Sequence, residues 1–260
     1  MKIELCWDVA EFAEEAVRHV VAAYDEAIAA RGRFVLGLTG GSTPAPIHRA
    51  LATSPHAKSI DWSKVEIVFG DERAVPPDAK ESNYRAAHET LLSLVPIPSE
   101  HVHRMQGERS DLAAAARDYE ALLRERFDFK IDLLFVGLGK DAHVFSLYPG
   151  SPALDETTAR VVAELDPPMN PKLSRITFTP KMLEGVSLVV AIATGAEKAD
   201  ALRAAYDLKE LDPHQYPAHI PKRAPRCVWV CDQDAGAKLG FMVALHNKMK
   251  GASTEPKGSN

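Results

Sequence analysis

Arg33-Phe-Val-Leu-Gly-Leu-Thr-Gly-Gly-Ser-Thr-Pro44 opens on a short apolar run and passes into a glycine turn. After the turn, Ile47, Ala50 and Leu51 recur at helical spacing. The order is strand, glycine turn, helix, and it repeats along the chain. Further strand-like runs are Val65-Glu-Ile-Val-Phe69, Ile131-Asp-Leu-Leu-Phe-Val136, Val186-Ser-Leu-Val-Val-Ala-Ile192 and Cys227-Val-Trp-Val230. Helical patterns lie near 83–94, 111–127, 196–209 and 233–249. Before the quoted stretch, Phe12, Ala16, Val17, Val20, Val21, Tyr24 and Ile28 mark a first helix from Asp8 to Ala30. Asp8 and Glu11 form a capping-box pattern there, and Gly32 is its stop. Strands apolar on nearly every residue, separated by amphipathic helices, predict a doubly wound α/β fold: a largely parallel, Rossmann-like sheet with helices on both faces.

Arg160-Val-Val-Ala-Glu-Leu165 and Arg175-Ile-Thr-Phe-Thr179 read as a hairpin or edge region, and the proline- and histidine-rich segment 211–226 as a surface loop. His219 within that loop is expected to tolerate alanine. With no internal repeat or linker, residues 1–250 are expected to form one domain and residues 251–260 a flexible tail. Lysine and arginine number 31 against 36 acids, for a net charge of −5. That balance lacks the clustered basic excess of a nucleic-acid-binding face. Cys6, Cys227 and Cys231 are too few for a disulfide framework, and Cys227 and Cys231 have no companions to complete a zinc site, so all three read as buried thiols. No apolar run reaches membrane-spanning length and the N-terminus lacks a signal-peptide pattern, so a soluble cytoplasmic protein is expected.

In open α/β sheets the active site lies beyond the carboxyl ends of the strands. Three strand ends here carry polar clusters. Thr39-Gly-Gly-Ser-Thr-Pro44 has glycines that admit close backbone approach, and the following helix offers free N–H groups to an anion. It lacks the glycine-lysine-serine ending of a Walker loop. Gly70-Asp-Glu-Arg73 places three charges at the end of an apolar strand, with Ser82-Asn-Tyr84 opening a helix after it. Gly137-Leu-Gly-Lys-Asp-Ala-His-Val-Phe-Ser-Leu-Tyr-Pro149 sets Asp141 two positions from His143, where a carboxylate orients an imidazole or holds its protonated form. Its opening also fits a dinucleotide-binding turn, but Pro149, Gly150 and Pro152 interrupt the helix such a turn should launch.

Together these blocks, with Arg175-Ile-Thr-Phe-Thr179 and Gly195-Ala-Glu-Lys198, resemble the signature segments of the 6-phosphogluconolactonase family, in the right order over roughly residues 10 to 245. The resemblance implies hydrolysis of 6-phospho-D-glucono-1,5-lactone to 6-phosphogluconate in the oxidative pentose phosphate pathway, without metal or organic cofactor, by a monomer or homodimer. It assigns His143 as general base, with Asp141 and Asp71 as polar partners. Arg73, Arg175, Lys198 and the Gly41-Ser42-Thr43 turn would hold the phosphate, as suits a dianion.

Two residues depart from the family pattern. Ala142 stands where glycine is usual, and Phe145 where a small residue is expected. The related glucosamine-6-phosphate deaminases carry aspartate-glutamate-tyrosine in place of Asp71-Glu72-Arg73, and a glutamate five residues after the histidine, where this chain has Tyr148. The alternatives are an amino-sugar-phosphate deaminase or isomerase and a non-catalytic sugar-phosphate-binding domain. A regulator built on such a domain would need an attached helix-turn-helix, for which a first helix starting by Asp8 is expected to leave no room, whereas tight ligand binding without turnover would reveal a pure binder.

Overall fold

A computed structural model describes residues 2–169, 172–207 and 211–242. Six parallel strands form the main sheet in the order β1-β9-β8-β5-β2-β3. These are β1 (Lys2–Cys6), β2 (Phe34–Leu38), β3 (Val65–Phe69), β5 (Ile131–Gly137), β8 (Val186–Ala193) and β9 (Cys227–Asp232). Their near-continuous apolar character has a direct cause. Leu134 and Val136 of β5 pack into one core with Tyr119 and Trp229, whereas Leu133 and Phe135 point into the other with Phe12 and Leu36. Alternate side chains face opposite sides of a strand, so a sheet covered twice needs apolar residues at every position.

Helix α1 (Val9–Arg31) covers one face. The Asp8 carboxylate accepts from Glu11 N at 2.8 Å, and Gly32 closes the helix in the left-handed region at φ 71°. The reciprocal bond reaches one residue further back than a capping box requires, from Trp7 N to Glu11 Oε2 at 2.6 Å. On the other face α4 (Leu112–Phe127) buries Tyr119, Leu123 and Phe127. No helix among the described residues is long and apolar enough to cross a membrane.

The chain order produces a switch point. From β2 the chain runs outward to β3, then returns to place β5 on the other side of β2 and continues to β8 and β9. The turns leaving β2 and β5 therefore diverge and leave a crevice at their carboxyl ends, where α2 (Pro44–Thr53) begins.

Two strands go beyond the sequence expectation. Lys2–Cys6 pairs with β9, and its alternation of polar and apolar residues is that of a half-covered edge. Asp71–Arg73 is itself a strand, β4, in a three-stranded antiparallel sheet with β7 (Arg175–Phe178) and β6 (Val161–Glu164), the last two forming the expected hairpin.

The helical pattern at 83–94 becomes α3 (Asn83–Ala87) followed by a wider turn to Leu92. That at 196–209 becomes a tight turn, Ala196–Lys198, followed by α5 (Ala199–Asp207). Of the helix expected at 233–249, α6 (Gln233–Gly236) is seen; its portion after 242 and the tail 251–260 lie outside the described residues.

The segment 211–226 is not simply a surface loop. Pro217–Arg223 forms a tight helical turn that buries His219. The His219 Nδ1 accepts from Asp212 N at 3.0 Å, and its Nε2 donates to Ala204 O at 2.9 Å. Beside it, Ala218 N donates to Ala142 O at 2.8 Å and supports the turn that carries His143. His219 therefore satisfies two backbone groups, and tolerance of alanine is no longer expected.

Candidate active site

A cleft of about 500 Å³ opens at the switch point. The three polar clusters converge on it: Gly41, Ser42 and Thr43 from the turn after β2, Asp71 and Arg73 from β4, and Asp141 and His143 from the turn after β5. Lys198, from the turn after β8, completes the wall. Gly41 lies at φ 87°, a conformation that glycine adopts without strain. A Cβ on Gly40 would overlap the Asn83 carboxamide, so glycine there permits close packing of the turn on α3.

Beneath the cleft, Asp71 and Glu72 do different work. Ser146 Oγ donates to Asp71 Oδ2 at 2.8 Å, and Asn83 Nδ2 donates to the Asp71 carbonyl at 2.9 Å and to its Oδ1 at 3.2 Å. Asp71 thus ties the β5 turn to α3. Glu72 points the other way and is buried. Its carboxylate accepts from Arg73 N and Asn83 N at 2.7 Å, Tyr84 N at 2.8 Å and Ser82 Oγ at 3.0 Å. Burial raises the Glu72 carboxyl above its ordinary value, and these donors limit the rise. One carboxylate accordingly caps α3 and fixes the backbone of Arg73.

Arg73 and Arg175 are directly opposite partners across β4 and β7. Arg73 faces the cleft, and its guanidinium also donates to the Glu81 carbonyl. Arg175 is not among the cleft-lining residues. It is buried, donates Nε to the Leu173 carbonyl at 2.9 Å, and has its pKa lowered by desolvation, with Tyr148 opposing the shift and Arg73 adding to it. Lys198 is half-buried, and desolvation lowers its ammonium pKa despite the neighbouring Glu197.

The turn after β5 places the imidazole. His143 Nδ1 lies 2.5 Å from Asp141 Oδ1. Burial works against ionisation of Asp141, but the hydrogen bond and charge of His143 outweigh it and hold the carboxyl below its ordinary value. An ionised carboxylate only accepts, so Nδ1 carries the proton and the Nε2 lone pair is left for chemistry. Gly139 lies so close to the ring that a Cβ there would overlap Nδ1. The two departures from the family pattern both sit in the left-handed region, Ala142 at φ 66° and Phe145 at φ 53°. Each costs roughly 1–2 kcal/mol relative to an ordinary conformation. Packing holds Phe145 in place, with its ring 5.9 Å from that of Phe178 and tight against Gly70. Tyr148 lies against His143 with ring centroids 4.8 Å apart and the ring planes tilted by 50°.

Sequence reading did not assign Asn83, Lys140, Thr194, Glu197 or Met169, all of which line the cleft. Asn83 had a signal, since Ser82-Asn-Tyr84 follows the charged cluster; Met169, on the β6–β7 connection, had none. Burial pushes all three cysteine thiols up to about 12, and none lines the cleft. The one cluster of three potential metal ligands among the described residues, Glu4, Glu15 and His19, shares no residue with the cleft, and Lys2 and Arg18 already pair with its carboxylates.

Residues 8–229 match the family described as "Glucosamine-6-phosphate isomerases/6-phosphogluconolactonase". The chain is 39% identical over 235 residues to a 6-phosphogluconolactonase of Mycobacterium tuberculosis, covering 86% of this chain and 92% of that one. It is 34% identical over 232 residues to a 6-phosphogluconolactonase of Synechocystis, covering 87% and 93%. Among solved structures, 6-phosphogluconolactonase from Thermotoga maritima superposes with a TM-score of 0.77 at 27% identity, covering 89% of this chain and 99% of that one. A monomeric glucosamine-6-phosphate deaminase superposes with a TM-score of 0.80 at 20% identity, covering 92% and 100%, a likeness of fold alone.

Proposed function

Since the chain belongs to the glucosamine-6-phosphate isomerase/6-phosphogluconolactonase family, we propose that it hydrolyses 6-phospho-D-glucono-1,5-lactone to 6-phosphogluconate, with His143 as general base. The observation that carries this reading is the Asp141–His143 pair, which presents a free imidazole Nε2 beside a cleft whose other walls supply Arg73, Lys198 and the Gly41–Thr43 turn. Nε2 takes a proton from water as the oxygen attacks the lactone carbonyl carbon. The tetrahedral intermediate collapses with cleavage of the bond to the ring oxygen, and the imidazolium returns its proton to that oxygen. Asp141 holds the ring in the required tautomer and stabilises its cationic form. Asp71 lies at the cleft floor as a further polar partner.

The phosphate is held by Arg73, Lys198 and backbone N–H groups at the start of α2, with the buried Arg175 beside Arg73 adding positive charge to that wall rather than direct contact. A lactone carbonyl needs only a base and hydrogen-bond donors, so the reaction requires no metal or organic cofactor and survives EDTA. The protein acts in the cytoplasm as a monomer or homodimer. Amino-sugar deamination is disfavoured because Tyr148 replaces the carboxylate of that chemistry.

The deciding experiment is a coupled assay with freshly generated lactone, corrected for spontaneous hydrolysis. His143→Asn is expected to lower kcat by about 10²–10⁴-fold with KM little changed. Retention of near-wild-type kcat would assign the base elsewhere. Unphosphorylated gluconolactone is expected to be hydrolysed far less efficiently, and comparable kcat/KM for the two lactones would remove the phosphate assignment.

A further inference from the structure

Lys198 reaches the cleft from a turn that has little of its own to fix it. The chain leaves β8 through Thr194 and Gly195, the latter at φ 91° and ψ 147°, a region open almost only to glycine. The turn that follows is a single tight one, closed by Lys198 N donating to Gly195 O at 3.0 Å. Its anchor comes from the neighbouring strand. Asp232, the last residue of β9, accepts from Gly195 N with both oxygens, at 3.1 and 3.0 Å. The same carboxylate accepts from Ala235 N at 2.8 Å and so caps α6. Asp232 is half-buried and does not line the cleft.

We propose that Asp232 is a positioning residue for catalysis: it clamps the Gly195 turn to the end of β9 and thereby holds Lys198 at the phosphate. Across the turn, Thr43 Oγ1 lies 3.3 Å from Thr194 Oγ1, so the clamped turn also abuts the Gly41–Thr43 segment. One carboxylate on β9 thus sets the spacing between Lys198 and the backbone N–H groups at the start of α2. The inference rests on the reading of Lys198 as a phosphate ligand, and its test separates the two.

Asp232→Ser is the informative variant, because serine still caps a helix but is too short to hold Gly195 N as well. Asp232→Asn is the rescue, since its single carbonyl oxygen can take the position that now accepts both Gly195 N and Ala235 N. We expect Asp232→Ser to raise KM for the phosphorylated lactone roughly tenfold, the scale of one charge-assisted hydrogen bond, with kcat within about threefold. Asp232→Asn should restore most of the affinity. In a Lys198→Ala background Asp232→Ser should change KM by less than about twofold, because the group it positions is gone. Amide exchange at Gly195 should quicken in Asp232→Ser and not in Asp232→Asn, with melting temperatures confirming that both variants fold. A rise in KM as large in the Lys198→Ala background as in the parent would overturn the proposal, as would unchanged Gly195 exchange. If Lys198→Ala alone leaves KM unaltered, the phosphate role of Lys198 fails, while quickened Gly195 exchange still upholds the clamp.

Discussion

Asparagine at position 141 would keep a carbonyl oxygen for His143 Nδ1–H and remove only the charge, which isolates what that charge contributes. The bond to be preserved is the one of 2.5 Å between Asp141 Oδ1 and His143 Nδ1. With charge centres about 4 Å apart, the attraction between carboxylate and imidazolium is about 1 kcal/mol in bulk water and about 4 kcal/mol at the effective dielectric of a protein surface. The Asp141 side chain is 46% exposed and that of His143 17%, so solvent screening sets the value near the lower bound. A differential of about 1–2 kcal/mol between imidazolium and imidazole follows, or roughly 5- to 30-fold in kcat. The assay is lactone hydrolysis with the spontaneous rate subtracted. Asp141→Ala should cost more, because it removes the tautomer-fixing acceptor as well. Stability gives a second check. A carboxyl held below its ordinary value of 3.8 adds stability that is present above that pH and lost as pH falls through the folded-state value. The small contribution of this exposed group should be absent from the acid limb of Asp141→Asn. A kcat within twofold of the parent would refute the electrostatic role.

Glu72→Gln replaces one oxygen by a donor and leaves two N–H or O–H groups facing it. At about 1.5–3 kcal/mol per bond to a charged acceptor, partly offset by removing a buried charge, a loss of about 2–4 kcal/mol is expected in urea denaturation. At position 145 the usual ranking of glycine and alanine should invert: because φ is 53°, Phe145→Gly should be more stable than Phe145→Ala by about 0.5–1 kcal/mol, and the ordinary order would contradict the backbone assignment. His219→Ala should cost about 1–3 kcal/mol and reduce activity, since Asp212 N and Ala204 O lose their partner beside the segment that supports Ala142; an unchanged melting temperature would restore the surface-loop reading.

The main strands were legible because a sheet covered on both faces demands apolar side chains at every position. The runs at 65–69, 131–136 and 186–192 meet that demand at all but one position each, Glu66, Asp132 and Ser187. Helix α1 was legible to its ends, since Asp8 and Gly32 act on backbone groups within one turn of themselves. Polar clusters at strand ends were equally visible, and the parallel topology then required them to meet.

Other features depended on contacts between distant segments. Lys2–Cys6 is a strand because β9 offers it an edge, and Asp71–Arg73 is a strand because β7 lies alongside. Glu72 looks like a member of the charged cluster in sequence, yet it turns away from the cleft to collect donors from residues 82–84. Arg175 stands directly opposite Arg73 across β4 and β7 yet is buried outside the cleft lining, and His219 is buried because residues 204 and 212 close around it. By itself the sequence determined the apolar strands of the main sheet, the first helix and which chemical groups would stand at the strand ends, because periodicity and capping are local. Only the tertiary structure decided which of those groups face the cleft and which brace it, because the direction of a side chain is set by the partners that long-range packing brings to it.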